Sequence, residues 1–324
     1  MDNQEMLNEL NQKTAFKDIT ISTDLGASVL QPNYRNEFIR EATRDLSIFS
    51  EARRVLMVNN VENIDRTGFG ERVMHKVGEK EEVKTTKPFT DQEKLIADEY
   101  AAGVGITDKA LRRNIERQKY AQTLVQMLGQ RFGEDWETFA VGSDKTKYSA
   151  GNLLKTGDGW IKKCTNKIYG KGTGKEFDGS KDVSEMLEAM LKSYPKNYLK
   201  QRSKLRFYLD GDYFNKYINE VGERPTIAGD EAVSKYVARP FKGVPVIEAP
   251  VLSDEDIVDP TDGWGPTNML MDPNNMVYGV FHEVTMEPER KPALRLSNYY
   301  ITCEVDQGFE NPNVGVVAFP ETTK

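Results

Sequence analysis

The sequence predicts a mixed α+β chain. Three observations carry that expectation: one helical stripe long enough to act as a spine, an alternation of helix and strand signals in the middle of the chain, and a run of β-prone segments after it. With 324 residues, 38% hydrophobic and 29% charged, the chain has enough apolar side chain to bury a core without disulfide or metal staples. No apolar run approaches the ~18 residues that a bilayer crossing needs, and Met1-Asp2-Asn3-Gln4-Glu5 lacks the basic and apolar regions of a signal peptide. No membrane partner is expected, and synthesis is expected in the cytoplasm.

Residues 1–28 mix amides, charges and small residues and read as an arm. From 33 to 46, Tyr34, Phe38, Ile39, Ala42 and Leu46 recur at three and four, predicting a short amphipathic helix after Pro32. Between 55 and 89 the pattern turns to β-prone pieces at 55–58, 72–75 and 83–86, broken by Gly68, Gly70 and Gly78, which predicts a long hairpin. It carries both charge signs and few large apolar residues, so it is either a solvated surface hairpin or one that leans on something else.

The strongest signal lies at 107–142. Leu111, Ile115, Ala121, Leu124, Leu128, Phe132, Trp136 and Phe139 hold helical spacing without an intervening proline. Thr107 can cap the first turn, Asp108 suits the positive end of the helix dipole, and Gly142 can supply a left-handed stop. Such a helix would run about 50 Å at ~1.5 Å per residue, and its aromatic end fits a helix lying across a sheet better than a coiled coil. Gly129 and Gly133, one turn apart, mark either a close backbone approach or mere tolerance.

A glycine- and lysine-rich stretch then predicts a boundary near Tyr148. Beyond it come a helix at 182–193, a strand at 205–209, a helix at 213–221 and a strand at 244–247, the alternation of an α/β unit. Residues 254–265 read as an acidic loop. Strands are predicted at 277–281, 284–286, 299–305 and 314–319.

No catalytic, cofactor or metal site emerges. Gly170 and Gly174-Lys175 enclose three residues where a phosphate-binding loop needs four, and Glu176 follows where Ser or Thr is required. His75 and His282 are the two histidines and neither has a ligand-spaced partner; Cys303 lies in an apolar run typical of a buried thiol, and Cys164 has no CxxC mate. The acidic run Asp254, Glu255, Asp256, Asp259 lacks the glycine and terminal glutamate of a calcium loop. Tyr194, Tyr198, Phe207, Tyr208, Tyr213, Phe214 and Tyr217, interleaved with lysine and arginine, could suit single-stranded nucleic acid. A net charge of −7 argues instead for a folded core beneath a basic surface.

Three stretches carry a family resemblance in their order. They are Gln130-Arg131-Phe132-Gly133-Glu134-Asp135-Trp136 running on to Gly142, then Phe241-Lys242-Gly243-Val244-Pro245-Val246-Ile247, then Leu270-Met271-Asp272-Pro273-Asn274-Asn275-Met276-Val277-Tyr278-Gly279. With the arm, charged hairpin, spine helix and α/β insertion, nearly the whole chain resembles the major capsid proteins of tailed phages, the Hong Kong 97-like fold. The resemblance implies an arm at 1–30, a peripheral domain at 31–148 and 267–324, and an axial domain at 149–266. An extended loop at about 59–89 would lie over a neighbouring subunit, and Glu79, Lys80, Glu81, Glu82, Lys84 and Lys87 are the interface residues it singles out.

The partners implied are copies of the chain in pentamers and hexamers, a separate scaffolding protein, a portal, a decoration protein and packaged double-stranded DNA bound without sequence specificity. The location implied is the virion. Lysine to asparagine cross-links between subunits, through Lys80, Lys84 or Lys87 and Asn311 or Asn313, are not expected because no motif singles them out. Two alternatives remain: an encapsulin-type nanocompartment shell and, from another class, an α/β enzyme with an unrecognised acidic site.

Overall fold

A computed structural model describes residues 46–69, 72–77, 82–83, 85–109, 118–179, 182–223, 238–259, 263–282 and 285–323. The expected arm and the helix at 33–46 lie outside them, save Leu46. The elements in chain order are β1 (Arg53–Leu56), β2 (Val61–Gly68), β3 (Phe89–Ile96), β4 (Asp98–Thr107), α1 (Gln118–Gly142), α2 (Trp160–Lys163), β5 (Lys167–Lys171), α3 (Val183–Ser193) and β6 (Arg206–Leu209). There follow α4 (Gly211–Gly222), β7 (Val246–Glu248), α5 (Glu255–Val258), β8 (Asn268–Met271), β9 (Met276–Val280), β10 (Thr285–Lys291), β11 (Leu296–Phe309) and β12 (Val316–Thr323).

The first sheet is organised by β11, whose 14 residues reach three partners. Residues 296–305 pair antiparallel with β4, 296–302 with β10 and 305–309 with β9, while β1 lies parallel to β9. β4 is a strand that propensity does not announce, because Ala101, Ala102, Gly103 and Gly105 favour no sheet. A ten-residue ladder against β11 overrides that weakness.

The second sheet has the order β5-β12-β8-β6-β7. Strand alternation divides its side chains between two cores. Phe207, Leu209, Leu270, Val316 and Ala318 meet Met186, Leu187 and Met190 of α3 and Phe214, Tyr217 and Ile218 of α4. Tyr208, Met269, Met271, Val317 and Phe319 turn the other way, into the core shared with α1. The sheet is thus a wall between two apolar layers, and β8 and β12, both from beyond residue 266, complete it. Tyr194, Phe207, Tyr208, Tyr213, Phe214 and Tyr217 are buried, as a core requires, whereas Tyr198 is exposed.

The spine helix is described as α1, a 25-residue segment about 37 Å long at ~1.5 Å per residue. Residues 110–117 lie outside the description, and Thr107, the last residue of β4, directly precedes helical Asp108 and Lys109, the position expected of a cap. Trp136 and Phe139 are buried, with Leu128 and Phe132 packed against the same core. Phe49 fills the space between α1 and the first sheet. It stacks on Tyr278 at 4.8 Å and meets Trp136 edge-on at 5.0 Å and Trp160 at 5.6 Å.

Glu137 fixes that wedge. Its buried carboxylate accepts from Ile48 N at 2.6 Å and Phe49 N at 3.1 Å. Burial pushes the carboxyl above the usual glutamate range, against the lowering effect of those amides. Gly142 is not in the left-handed region expected of it. It is glycine because a Cβ there would stand 2.6 Å from Ile257 Cγ1. The stretch read as an acidic loop contains α5, whose N-cap Asp254 accepts from Asp256 N at 3.0 Å and whose Ile257 is buried under the helix end.

Candidate assembly surfaces

The predicted hairpin exists, but its ladder lies nearer the body than expected. β2 and β3 pair antiparallel from Val61 with Ile96 to Gly68 with Phe89. Residues 72–77 and the described residues of 83–86 form no strand. Residues 55 and 56, taken as part of the excursion, belong to β1 in the first sheet.

The hairpin is held at one end. Leu95 is the only buried residue of β2 or β3, and with Met57, Ala97 and Val277 it makes a small separate core. Glycines open the seat: a Cβ on Gly279 would stand 2.6 Å from Met57 Sδ and 3.0 Å from Leu95 Cδ1, and one on Gly308 would stand 3.0 Å from Leu95 Cδ2. Backbone bonds lock the root, with Met57 N donating to Val280 O at 2.9 Å and Ala97 N to Asn60 O at 2.9 Å. Ile96 N donates to Asp306 Oδ2 at 2.7 Å. Burial raises the Asp306 carboxyl above its usual range, with Lys163, 3.7 Å away, opposing.

Away from the root the described residues of the hairpin form no core. Its strands alternate between exposed and half-buried residues, and large apolar side chains stand in solvent: Phe69, Val73, Val77 and Phe89, with Met74 at 92% and Val83 at 71% exposure. Two strands alone are marginal in water, and such side chains gain free energy only when something covers them. Of the residues singled out from the sequence, Glu82 and Lys87 are exposed here; Glu79, Lys80, Glu81 and Lys84 lie outside the described residues.

A second surface is the tip where β10 turns into β11. Leu294 is 68% exposed, Arg295 holds a left-handed φ of 50°, and Tyr300 lies on the adjoining sheet face. Sequence reasoning missed it, although Pro292 followed by an isolated leucine is a readable turn signal.

The expected chemistry-bearing groups stay apart. His75 and His282 are exposed, while Cys164 and Cys303 are buried, their thiols pushed up by burial to about 11 and about 12. Among the described residues no group of three His, Cys, Asp or Glu is placed to hold a metal ion, and no helix is long and apolar enough to cross a membrane. Asn311 is buried and engaged, its backbone N donating to Asn275 Oδ1 at 2.8 Å and its Oδ1 accepting from Asn313 N at 3.1 Å.

No protein-family model matches the chain. Among curated proteins it is similar to the Bacillus subtilis (strain 168) protein named "Putative prophage capsid protein YqbE", at 26% identity over 320 residues and 96% coverage of each chain. Among solved structures it is similar to the satellite phage P4 procapsid including the size determination (Sid) protein, with a TM-score of 0.58 and 13% identity, covering 89% of this chain and 98% of that one. The mature capsid of bacteriophage PhiM1 is similar with a TM-score of 0.57 at 8% identity, over 85% and 87% of the two chains.

Proposed function

We propose that this chain, which has the Hong Kong 97-like fold of phage capsid proteins, is the major capsid protein of a tailed bacteriophage. Its work is self-assembly into the shell that encloses a double-stranded DNA genome, a structural role with no catalytic step. The observation that carries this reading is the β2–β3 hairpin, rooted in a small core and clad beyond it with exposed apolar side chains. A neighbouring copy is the cover that this function supplies.

In this reading the second sheet with α3 and α4 is the axial domain, taking β8 and β12 from beyond residue 266, and copies of it meet in pentamers and hexamers. The first sheet, α1 and the hairpin form the peripheral domain. These contacts join unlike surfaces, so they propagate until a ring or shell closes. Glu79, Lys80, Glu81, Glu82, Lys84 and Lys87 would meet the neighbour under the extended loop. A separate scaffolding protein, a portal and a decoration protein are the further partners, and assembly takes place in the bacterial cytoplasm before the virion is released.

The test is assembly state. Purified chain, alone and coexpressed with its scaffold, is expected to give rings or shells in negative-stain micrographs, and removal of residues 65–87 is expected to leave a folded subunit that closes no shell. A monodisperse monomer with scaffold at high concentration would overturn the proposal. Normal shells from the deletion would remove the hairpin from it.

A further inference from the structure

Away from these surfaces the chain gathers three lysines, two of them over one indole. Lys147 comes from the turn after α1, Lys162 from the last turn of α2, and Lys167 from the start of β5. The Lys147 ammonium lies 4.4 Å and the Lys167 ammonium 4.9 Å from the centre of the Trp264 ring. Trp264 is fixed in place. Its Nε1 donates to Gly142 O at 2.8 Å, and its ring stacks on Phe319 at 5.8 Å.

The charges in this cluster do not balance. Asp144 is the carboxylate among them, and its oxygens are taken: Oδ1 accepts from Thr146 N at 2.8 Å and Thr146 Oγ1 at 2.6 Å, and Oδ2 from Lys162 Nζ at 3.0 Å. Lys162 Nζ also donates to Thr146 Oγ1 at 3.2 Å. Lys167 Nζ donates to Lys162 O at 3.2 Å, and neither Lys147 nor Lys167 forms an ion pair among the described residues. Burial holds Lys147 and Lys167 below the usual lysine range; the Asp144 carboxylate opposes it at both, and the neighbouring Lys162 ammonium adds to it.

Half-buried cations that outnumber the one carboxylate among them lose hydration and gain little in return. A cation over an indole face recovers part of that loss, but it leaves most of the ammonium's three donors unfilled. An anion with several acceptor oxygens and more than one charge fills them, and lysine suits such an anion as a movable point charge. We propose that Lys147 and Lys167 over Trp264, with Lys162 beside them, form a seat for a phosphate-class oxyanion, whether a free ion or a phosphodiester of a nucleic-acid strand. The inference does not depend on the shell reading. It also accords with the absence of a broad basic field, since the seat is local within a chain of net charge −7.

The experiment titrates the full chain at constant ionic strength, in separate arms, with inorganic phosphate and with a short oligothymidylate, following tryptophan fluorescence. W264F identifies the part of the signal that comes from the seat. A saturable response is expected in at least one arm, weakened at least about tenfold in K147Q/K167Q and largely kept in K147R/K167R. Saturation by phosphate assigns the free ion, and saturation by the oligonucleotide alone assigns the phosphodiester. Should the double glutamine variant fail to fold, K147Q alone, in a turn, serves in its place. A response that sodium chloride reproduces at equal ionic strength, or one unchanged by the glutamine variants, would overturn the proposal.

Discussion

Replacing Leu95 with alanine tests whether the extended hairpin is held by its root. Leu95 is 1% exposed and lies in a core of four buried residues, separate from the two large ones. Truncating a buried leucine costs about 2–5 kcal/mol through lost transfer energy and the cavity left behind. The glycine-lined seat is small and has room to collapse, so the lower half of that range applies, about 2–3 kcal/mol. At 1.4 kcal/mol per factor of ten, root amides that exchange by local opening should lose roughly 30- to 150-fold protection.

The amides to follow are Met57, Ile96 and Ala97, whose acceptors are Val280 O, the Asp306 carboxylate and Asn60 O. Hydrogen exchange of the unassembled subunit reads them directly, with β6 and β8 in the second sheet as internal controls. Unchanged protection at the root, or an equal loss in the second sheet, would show that Leu95 does not anchor the hairpin independently. The same variant should assemble poorly, because a hairpin that swings freely must first be ordered when it meets its neighbour.

Two further outcomes follow from the spine helix. Because burial raises the folded-state carboxyl of Glu137 above its unfolded value, its stabilising contribution is full below that unfolded value, near 4.5, and is lost as pH rises through the raised one. The stability of the native chain relative to E137Q, measured by urea unfolding, should therefore be greatest in mild acid and decline toward neutrality; a difference that grows with pH would contradict the assignment. Gly142→Ala should cost about 1–3 kcal/mol by overpacking, because its Cβ falls 2.6 Å from Ile257 Cγ1. Adding Ile257→Val should recover part of that loss, whereas strictly additive melting shifts would place the strain elsewhere.

The elements legible in the sequence are those whose pattern is set by burial within one chain. Met186, Leu187 and Met190 of α3 and Phe214, Tyr217 and Ile218 of α4 fall at helical spacing because one sheet face buries them. The hairpin ladder lies nearer the body than the sequence pattern predicts because the outer residues obey another rule. Val73, Met74 and Val83 are apolar and β-prone yet lie in solvent, so a pattern that equates apolar with inside assigns them to strands that do not form. β4 escaped notice because its alanines and glycines owe their conformation to β11, almost 200 residues later. The three lysines and Trp264 were illegible for a similar reason: more than 100 residues separate the first from the indole, and the net charge conceals them.

The position of β12 bears on how the chain is made. It lies between β5 and β8, parallel to one and antiparallel to the other, although both are translated long before it. Until the ribosome has delivered residues 316–323, β5 and β8 present open ladders to a vacant slot, and the pairing that closes it is of long sequence separation and therefore slow. A nascent or truncated chain is thus a sticky one, able to accept a strand from any passing copy. Crowding during bulk synthesis should make chaperone supply, as much as subunit affinity, a determinant of yield.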